Sequence, residues 1–293
     1  LRPRATALPL VAALTTVVLW ASAFVGIRAA GHGYTAGTLS LGRLAVGSAA
    51  LGVIVAVRRE GFPARRDLPR LAAIGILWFG AYNLVLNQAE RLVDAGTTAM
   101  LVNVGPILIA VLAGLLLGEG FPKALFAGIG VAFAGVVIIG LALREDGRGS
   151  ATGAALCVLA AALWATAVTL QKPLLARASA LQTTWVACTI GMVACLPFAG
   201  SLVDQVGSAT GGQTAWIVYL GIFPTAIAFT TWAFALARMP AGRLGVTTYL
   251  VPPIVVVLSA VVLGEHPPVL ALAGGALCLA GVAVSRRAPR PTG

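Results

Sequence analysis

Charge is nearly missing from this chain: Asp, Glu, Lys and Arg make up 10% of 293 residues, against about a quarter in a soluble domain. Histidine occurs twice, as His32 and His266, both in predicted loops. Cys157, Cys188, Cys195 and Cys278 all fall in apolar stretches, with no Cys-x-x-Cys pair among them. These shortages point away from a disulfide framework and from any metal site. They also leave no cluster of His, Asp, Cys or Ser at catalytic spacing, which a membrane-embedded enzyme would need. Glycine is plentiful, yet neither Gly-rich stretch follows a strand, so no dinucleotide or phosphate loop and no cofactor is expected.

What fills the chain instead is hydrophobic residues, 59% of the total, more apolar surface than an aqueous fold can hide. Crossing the hydrocarbon takes about 20 apolar residues. Windows of that length lie at 7–28, 36–57, 70–89, 96–117, 122–143, 151–171, 181–200, 213–236, 243–263 and 267–285. Ten transmembrane helices are therefore predicted, with short loops and no soluble domain.

The net charge of +11 would suggest nucleic acid in a soluble protein. Here the basic residues follow the loops instead. With alternate loops assigned to opposite sides, one side holds Arg2, Arg4, Arg58, Arg59, Arg65, Arg66, Arg70, Lys123, Lys172, Arg177, Arg238, Arg243, Arg286, Arg287 and Arg290. The other holds Arg28, Arg91, Arg144 and Arg148, with most of the acids. The excess places both termini in the cytoplasm, with the lipid bilayer as partner and no nucleic acid. Arg2, Arg4 and the run to Ala21-Ser22-Ala23 also read as a cleaved signal peptide. The same pattern recurs in mid-chain at Leu163 to Ala167, which favours a retained first helix.

That recurrence is part of a repeat. Residues 95–136 reappear 146 positions later, with Ala95/Ala241, Pro106/Pro252, Leu117/Leu263, Gly118/Gly264, Glu119/Glu265, Gly128/Gly274 and Gly135/Gly281 among the identities. Leu19 to Ala23 echoes Leu163 to Ala167 at a shift of 144. Five helices fall in each copy, residues 1–145 and 146–293, and an odd unit enters the membrane the opposite way round the second time. The expected fold is all-α integral membrane, ten helices in two inverted five-helix repeats. Inverted repeats are a recurrent design of secondary transporters, which favours transport over catalysis.

Leu19-Trp20-Ala21-Ser22-Ala23-Phe24, Arg43 in the second helix, and the two Leu-Gly-Glu segments at Leu117 to Glu119 and Leu263 to Glu265, each followed by Pro and a Gly-rich helix, carry a family likeness. On these residues the chain resembles, over essentially its whole length, the EamA-type ten-helix permeases of the drug/metabolite transporter superfamily. Its aromatic-rich interior looks most like the YddG-type exporters of amino acids. The resemblance implies an inner-membrane carrier moving small metabolites out of the cytoplasm by alternating access. Drugs or other metabolites are the alternative cargo, and a non-transporting membrane protein the remaining rival.

Trp favours membrane interfaces, yet Trp20 and Trp164 lie about 13 residues into their helices. They are expected near the bilayer centre, bracketing a solute or packing against neighbours. Trp78, Phe79, Tyr82 and Asn83 share one face of the third helix, which should look into a cavity or against another helix, the cavity being favoured; Asn87 and Gln88 lie near its end, within reach of headgroups or water. Pro106 and Pro252-Pro253 each remove a backbone hydrogen bond, freeing the carbonyls of Val102, Thr248 and Tyr249. Such breaks either hold solute, with Asn103 and Tyr249 beside them, or only shape packing. Phe229 and Trp232 in the eighth helix partly match the third-helix stripe. The expected cavity residues are Trp20, Trp78, Tyr82, Asn83, Asn103, Trp164, Phe229, Thr248 and Tyr249.

Arg43 is the strong cation well inside a span, about 10 Å from its nearer end. A snorkelling or helix-bonded structural role is favoured over a clamp for a substrate carboxylate. Glu119 and Glu265 are suited to satisfying free amide groups at the helix that follows. No Asp or Glu lies well within a span, so facilitated export is plausible, with Glu90 and Asp94 as proton sites if their turn dips inward. An aromatic cavity with few charges suits neutral or aromatic amino acids and drug-like solutes.

Overall fold

The computed structural model describes residues 4–117, 123–145, 151–239, 244–245 and 247–285. Among the described residues the main helical segments are α1 (Arg4–Ala30), α2 (Ala36–Arg58), α3 (Arg65–Ala89), α4 (Ala95–Leu116), α5 (Lys123–Glu145), α6 (Ala151–Leu174), α7 (Ala180–Ala194), α8 (Gly211–Arg238), α9 (Thr248–Leu263) and α10 (Val269–Ser285). Among the described residues six are long and apolar enough to cross a membrane, and α7 with its continuation Leu196–Ser208 makes a seventh. The apolar stretches in α5, α9 and α10 are shorter. Large side chains face outward, with Val57 77% and Val269 83% exposed. Apolar exposure on this scale suits contact with lipid rather than water.

All ten expected spans meet a helix, with two instructive differences at their ends. α7 does not run straight to residue 200: it bends by 51° at Cys195, because Pro197 has no amide hydrogen with which to continue the helix. α9 is described from Thr248 rather than residue 243, with residues 240–243 and 246, including Arg243, outside the described residues. Glu119, Pro122, Arg148 and the basic residues beyond Ser285 lie outside them too.

The two halves pack as an exchanged pair. α1 lies on α9 as α4 lies on α6, α2 on α8 as α7 on α3, and α5 crosses α10. At that last crossing a Cβ on Gly135 would come 2.5 Å from the Gly274 carbonyl, and one on Gly281 would come 2.6 Å from the Gly128 carbonyl. Since Gly135 corresponds to Gly281 and Gly128 to Gly274, each contact is the other with the repeats swapped. The Cys278 thiol donates to the Ala132 carbonyl, and these two positions are themselves equivalent under the 146 shift. The crossing thus lies on the pseudo-two-fold axis, held close by glycines that let backbones touch.

Local chemistry repeats as well. Thr35 caps α2 by accepting from the Thr38 amide, and Ser179, its counterpart at a shift of 144, caps α7 by accepting from Gln182; such caps contribute about 1 kcal/mol each. π-helical turns occupy Gly75–Tyr82 in α3 and Gly221–Ile227 in α8, starting at equivalent glycines. A Cβ on Gly75 would meet the Ala187 carbonyl at 2.7 Å, and one on Gly221 the Arg43 carbonyl at 2.7 Å. Close approach at both crossings, together with the wider π turn, rotates the following residues of α3 and α8 towards the molecular centre.

Candidate functional site

Beyond these crossings lies a narrow central cavity of about 50 Å³, well below the roughly 300–1,000 Å³ of small-molecule sites, so a solute enters only as the walls move apart. Eight of the nine expected residues line it: Trp20, Trp78, Tyr82, Asn83, Asn103, Trp164, Phe229 and Thr248. Tyr249 does not; it packs beside Ile107 and Ala132, because the start of α9 turns the ring away from its neighbour Thr248. Phe79 is also turned away and fully buried, against Phe229.

Trp20 is the hub of an aromatic block. Its ring centroid is 6.3 Å from Trp78, 6.2 Å from Trp164, 5.6 Å from Phe229 and 5.0 Å from Trp232. Trp20 and Trp164 meet edge to face, at 87°, a favoured aromatic geometry. They therefore touch at the molecular centre instead of bracketing a solute across a gap. Trp232 packs behind this block without lining the cavity. Phe24, Ile27, Leu86 and Ala99 continue the wall towards the end of the molecule that carries Glu90. The cavity is thus floored by aromatic rings on the side of Arg58 and extends towards Glu90. Among the described residues, the buried indole Nε1 groups of Trp20 and Trp164 have no protein acceptor.

The polar wall residues divide into occupied and available groups. Asn83 Nδ2 donates to the Phe79 carbonyl at 2.8 Å and the Trp78 carbonyl at 3.2 Å, closing the π turn. Asn103 Nδ2 donates to the Thr248 carbonyl at 2.8 Å. Pro252 withholds the usual α-helical donor from that carbonyl, which accepts from the Val251 amide in a tighter 3-10 turn as well as from Asn103 across the repeat interface. α4 breaks at Asn103, between Ala95–Val102 and Gly105–Leu117. Thr230 and Thr231 bond back to the Ala226 and Ile227 carbonyls, as hydroxyls in helices tend to do. Thr225 instead accepts from Arg43.

Arg43 is the residue that sequence reasoning left out of the wall. It lines the cavity at 3% exposure, so its side chain does not snorkel. The signal for it was present: a strong cation well within an apolar span is costly wherever it has no function. Asn87 is likewise buried rather than at the headgroups, donating to Ser40 Oγ at 2.9 Å and the Ala36 carbonyl at 3.3 Å.

A second cavity adjoins the first at Ile27 and is lined by Arg28, Gly31, His32, Asn87, Glu90 and Arg91. Arg28 joins α1 to the far half by pairing with Glu265 and donating to the Glu90 carbonyl. Glu265 Oε2 accepts from the Ala95 amide at 3.2 Å. It satisfies a free amide as expected, but at the start of α4 rather than of α10. The turn at Glu90 does dip inward, leaving the residue 1% exposed. Burial holds its carboxyl well above the usual carboxylate range; Arg28 and Arg43 oppose that shift, while Glu265 and Asp94 reinforce it.

A model of the EamA-like transporter family matches residues 7–141 and again residues 151–287. The "Probable terminal-alkyne amino-acid exporter" of Streptantibioticus cattleyicolor is 41% identical over 282 residues, 94% of this chain and 92% of that protein. The "Aromatic amino acid exporter YddG" of Ancylobacter novellus is 30% identical over 280 residues, covering 92% of this chain and 94% of that one. A solved crystal structure superposes with a TM-score of 0.66 over 97% of this chain and 98% of its own, at 22% identity.

Proposed function

The chain belongs to the EamA-like transporter family, a multi-pass membrane carrier and not an enzyme, and from that premise we propose that it exports neutral or aromatic amino acids across the cytoplasmic membrane by alternating access. The observation that carries this reading is the central cavity, walled by Trp20, Trp78, Trp164 and Phe229 and closed on the Arg58 side by the same rings. Flat apolar side chains stack favourably on such a wall, whereas phosphorylated sugars would leave charge without partners. Relatives whose names state amino-acid export, one of them aromatic, point the same way.

Inverted repeats supply the transport cycle. Residues 1–145 and 146–293 act as the two units, and exchanging their conformations moves the opening from one membrane face to the other. The excess of Lys and Arg on the Arg58 side supports a cytoplasmic position for that side and for both termini. The cavity then extends outward from its aromatic floor, beneath the pair formed by Arg28 and Glu265.

Counterflow in proteoliposomes tests the proposal. Vesicles preloaded with phenylalanine or leucine should accumulate the radiolabelled amino acid well above protein-free vesicles, without an imposed ion gradient. Flux of drug-like amines but of no amino acid would replace this reading with a multidrug carrier. Absence of flux for every solute would sink it.

A further inference from the structure

Arg43 holds a cation at the cavity wall with almost no protein to balance it. Both Nε and Nη2 donate to one acceptor, the Thr225 hydroxyl, each at 3.2 Å. A guanidinium carries five N–H donors, and among the described residues no carboxylate is bonded to this one. Glu90, the acid closest in its electrostatic influence, has both carboxyl oxygens buried without a partner, so it does not pair with Arg43. A buried charge held only by a neutral hydroxyl is expensive.

The repeat shows that the helix crossing does not need this pair. A Cβ on Gly47 would meet the Gly221 carbonyl at 3.0 Å, and one on Gly191 the Gly75 carbonyl at 2.9 Å. These are the same crossing in the two halves. Where the first has Arg43 and Thr225, the second has Ala187 and Phe79, at shifts of 144 and 146. An apolar pair therefore serves the scaffold equally well, and the polar pair is an addition on the cavity side. Its neighbours in the wall are Phe24, Ile27, Leu86 and Tyr82, none of which balances a cation with an opposite charge.

Resting on the transport reading above, we propose that Arg43 binds the carboxylate of the transported solute, with Thr225 holding the guanidinium fork in place. The substrates are then small monocarboxylates, amino acids above all, whose side chains lie on the aromatic floor. Loss of the carboxylate removes the partner of a desolvated charge, so the corresponding amides and amines are rejected. Discrimination of this kind, where a buried polar group is left unpaired, is much stronger than discrimination by fit alone.

Competition against radiolabelled phenylalanine counterflow, with phenylalanine, phenylalaninamide and phenethylamine as the unlabelled solutes, tests the assignment in the wild-type protein. Phenylalanine should compete at least tenfold better than either analogue. In Arg43→Gln the advantage of the acid should vanish, and ligand-induced thermal stabilisation in detergent should fall by the same factor. Thr225→Val, which keeps the charge but frees the fork, should weaken phenylalanine several-fold while preserving its preference over the amide. Equal competition by acid, amide and amine in the wild type would overturn the role of Arg43 while leaving amino-acid transport standing, and needs no folded variant. Failure of phenylalanine to be carried or bound at all would overturn both.

Discussion

Asn103 donates its side-chain amide to the backbone carbonyl of Thr248, 2.8 Å away and 145 residues later in the chain. The bond crosses between the repeats and joins the Val251 amide at a carbonyl from which Pro252 withholds the usual α-helical donor. Asn103→Leu should remove one of the two donors to that carbonyl, leaving the Val251 amide, and cost about 0.5–1.5 kcal/mol. A thermal melt of the purified protein reads the loss. An unchanged melting temperature would mean that the Val251 amide satisfies the carbonyl on its own.

Trp164 meets Trp20 edge to face and leaves its indole nitrogen without an acceptor among the described residues. Trp164→Phe keeps most of the ring contact, while Trp164→Ala opens a hole worth about 3–5 kcal/mol. Counterflow should fall more than tenfold in the alanine variant and only several-fold in the phenylalanine one, with membrane insertion retained in both. Full transport by Trp164→Ala would assign the ring to packing alone.

The glycines of α5 allow an internally controlled comparison. A Cβ at Gly135 would strike backbone of α10, whereas at Gly130 it would meet nothing within 4 Å. Gly135→Ala should therefore destabilise by about 1–3 kcal/mol, and Gly130→Ala should be neutral or gain up to about 1 kcal/mol from helix propensity. Similar melting temperatures for the two variants would contradict the close crossing on the pseudo-axis.

Glu90 sets a pH dependence whose sign follows from its burial. Because burial raises its carboxyl above the ordinary 4.5, the folded protein binds a proton there that the unfolded chain has lost. Stability contributed by that proton is fully present below pH 4.5 and is lost as pH rises towards the raised value. Glu90→Gln cannot ionise, so the melting temperature of the wild type relative to this variant should decline on going from pH 4.5 to neutrality. A difference that stays constant with pH would show that the carboxyl titrates normally.

Eight of the nine expected cavity residues do converge, and the reason is that their types are costly anywhere else in an apolar chain. Trp20, Trp164 and the stripe through Trp78, Tyr82 and Asn83 were legible as amphiphilic groups at mid-span. Tyr249 and Arg43 were misjudged for a shared reason. Periodicity places a residue on a helix face but does not say where an irregular turn re-aims it, nor what a neighbouring helix offers it. The start of α9 turned Tyr249 aside. Thr225, 182 positions away, drew the Arg43 guanidinium inward rather than towards the membrane surface.

The sequence by itself determined the membrane, the ten helices and their division into two inverted sets of five. Those properties depend on composition and on a repeat period, which need no knowledge of contacts. Tertiary structure alone decided the rest: the π turns at Gly75 and Gly221, the contact of Trp20 with Trp164, the clasp between Asn103 and Thr248, and the inward set of Arg43. Each depends on a partner from the opposite repeat, and in a bilayer a buried polar or aromatic group takes its position from whichever distant segment satisfies it.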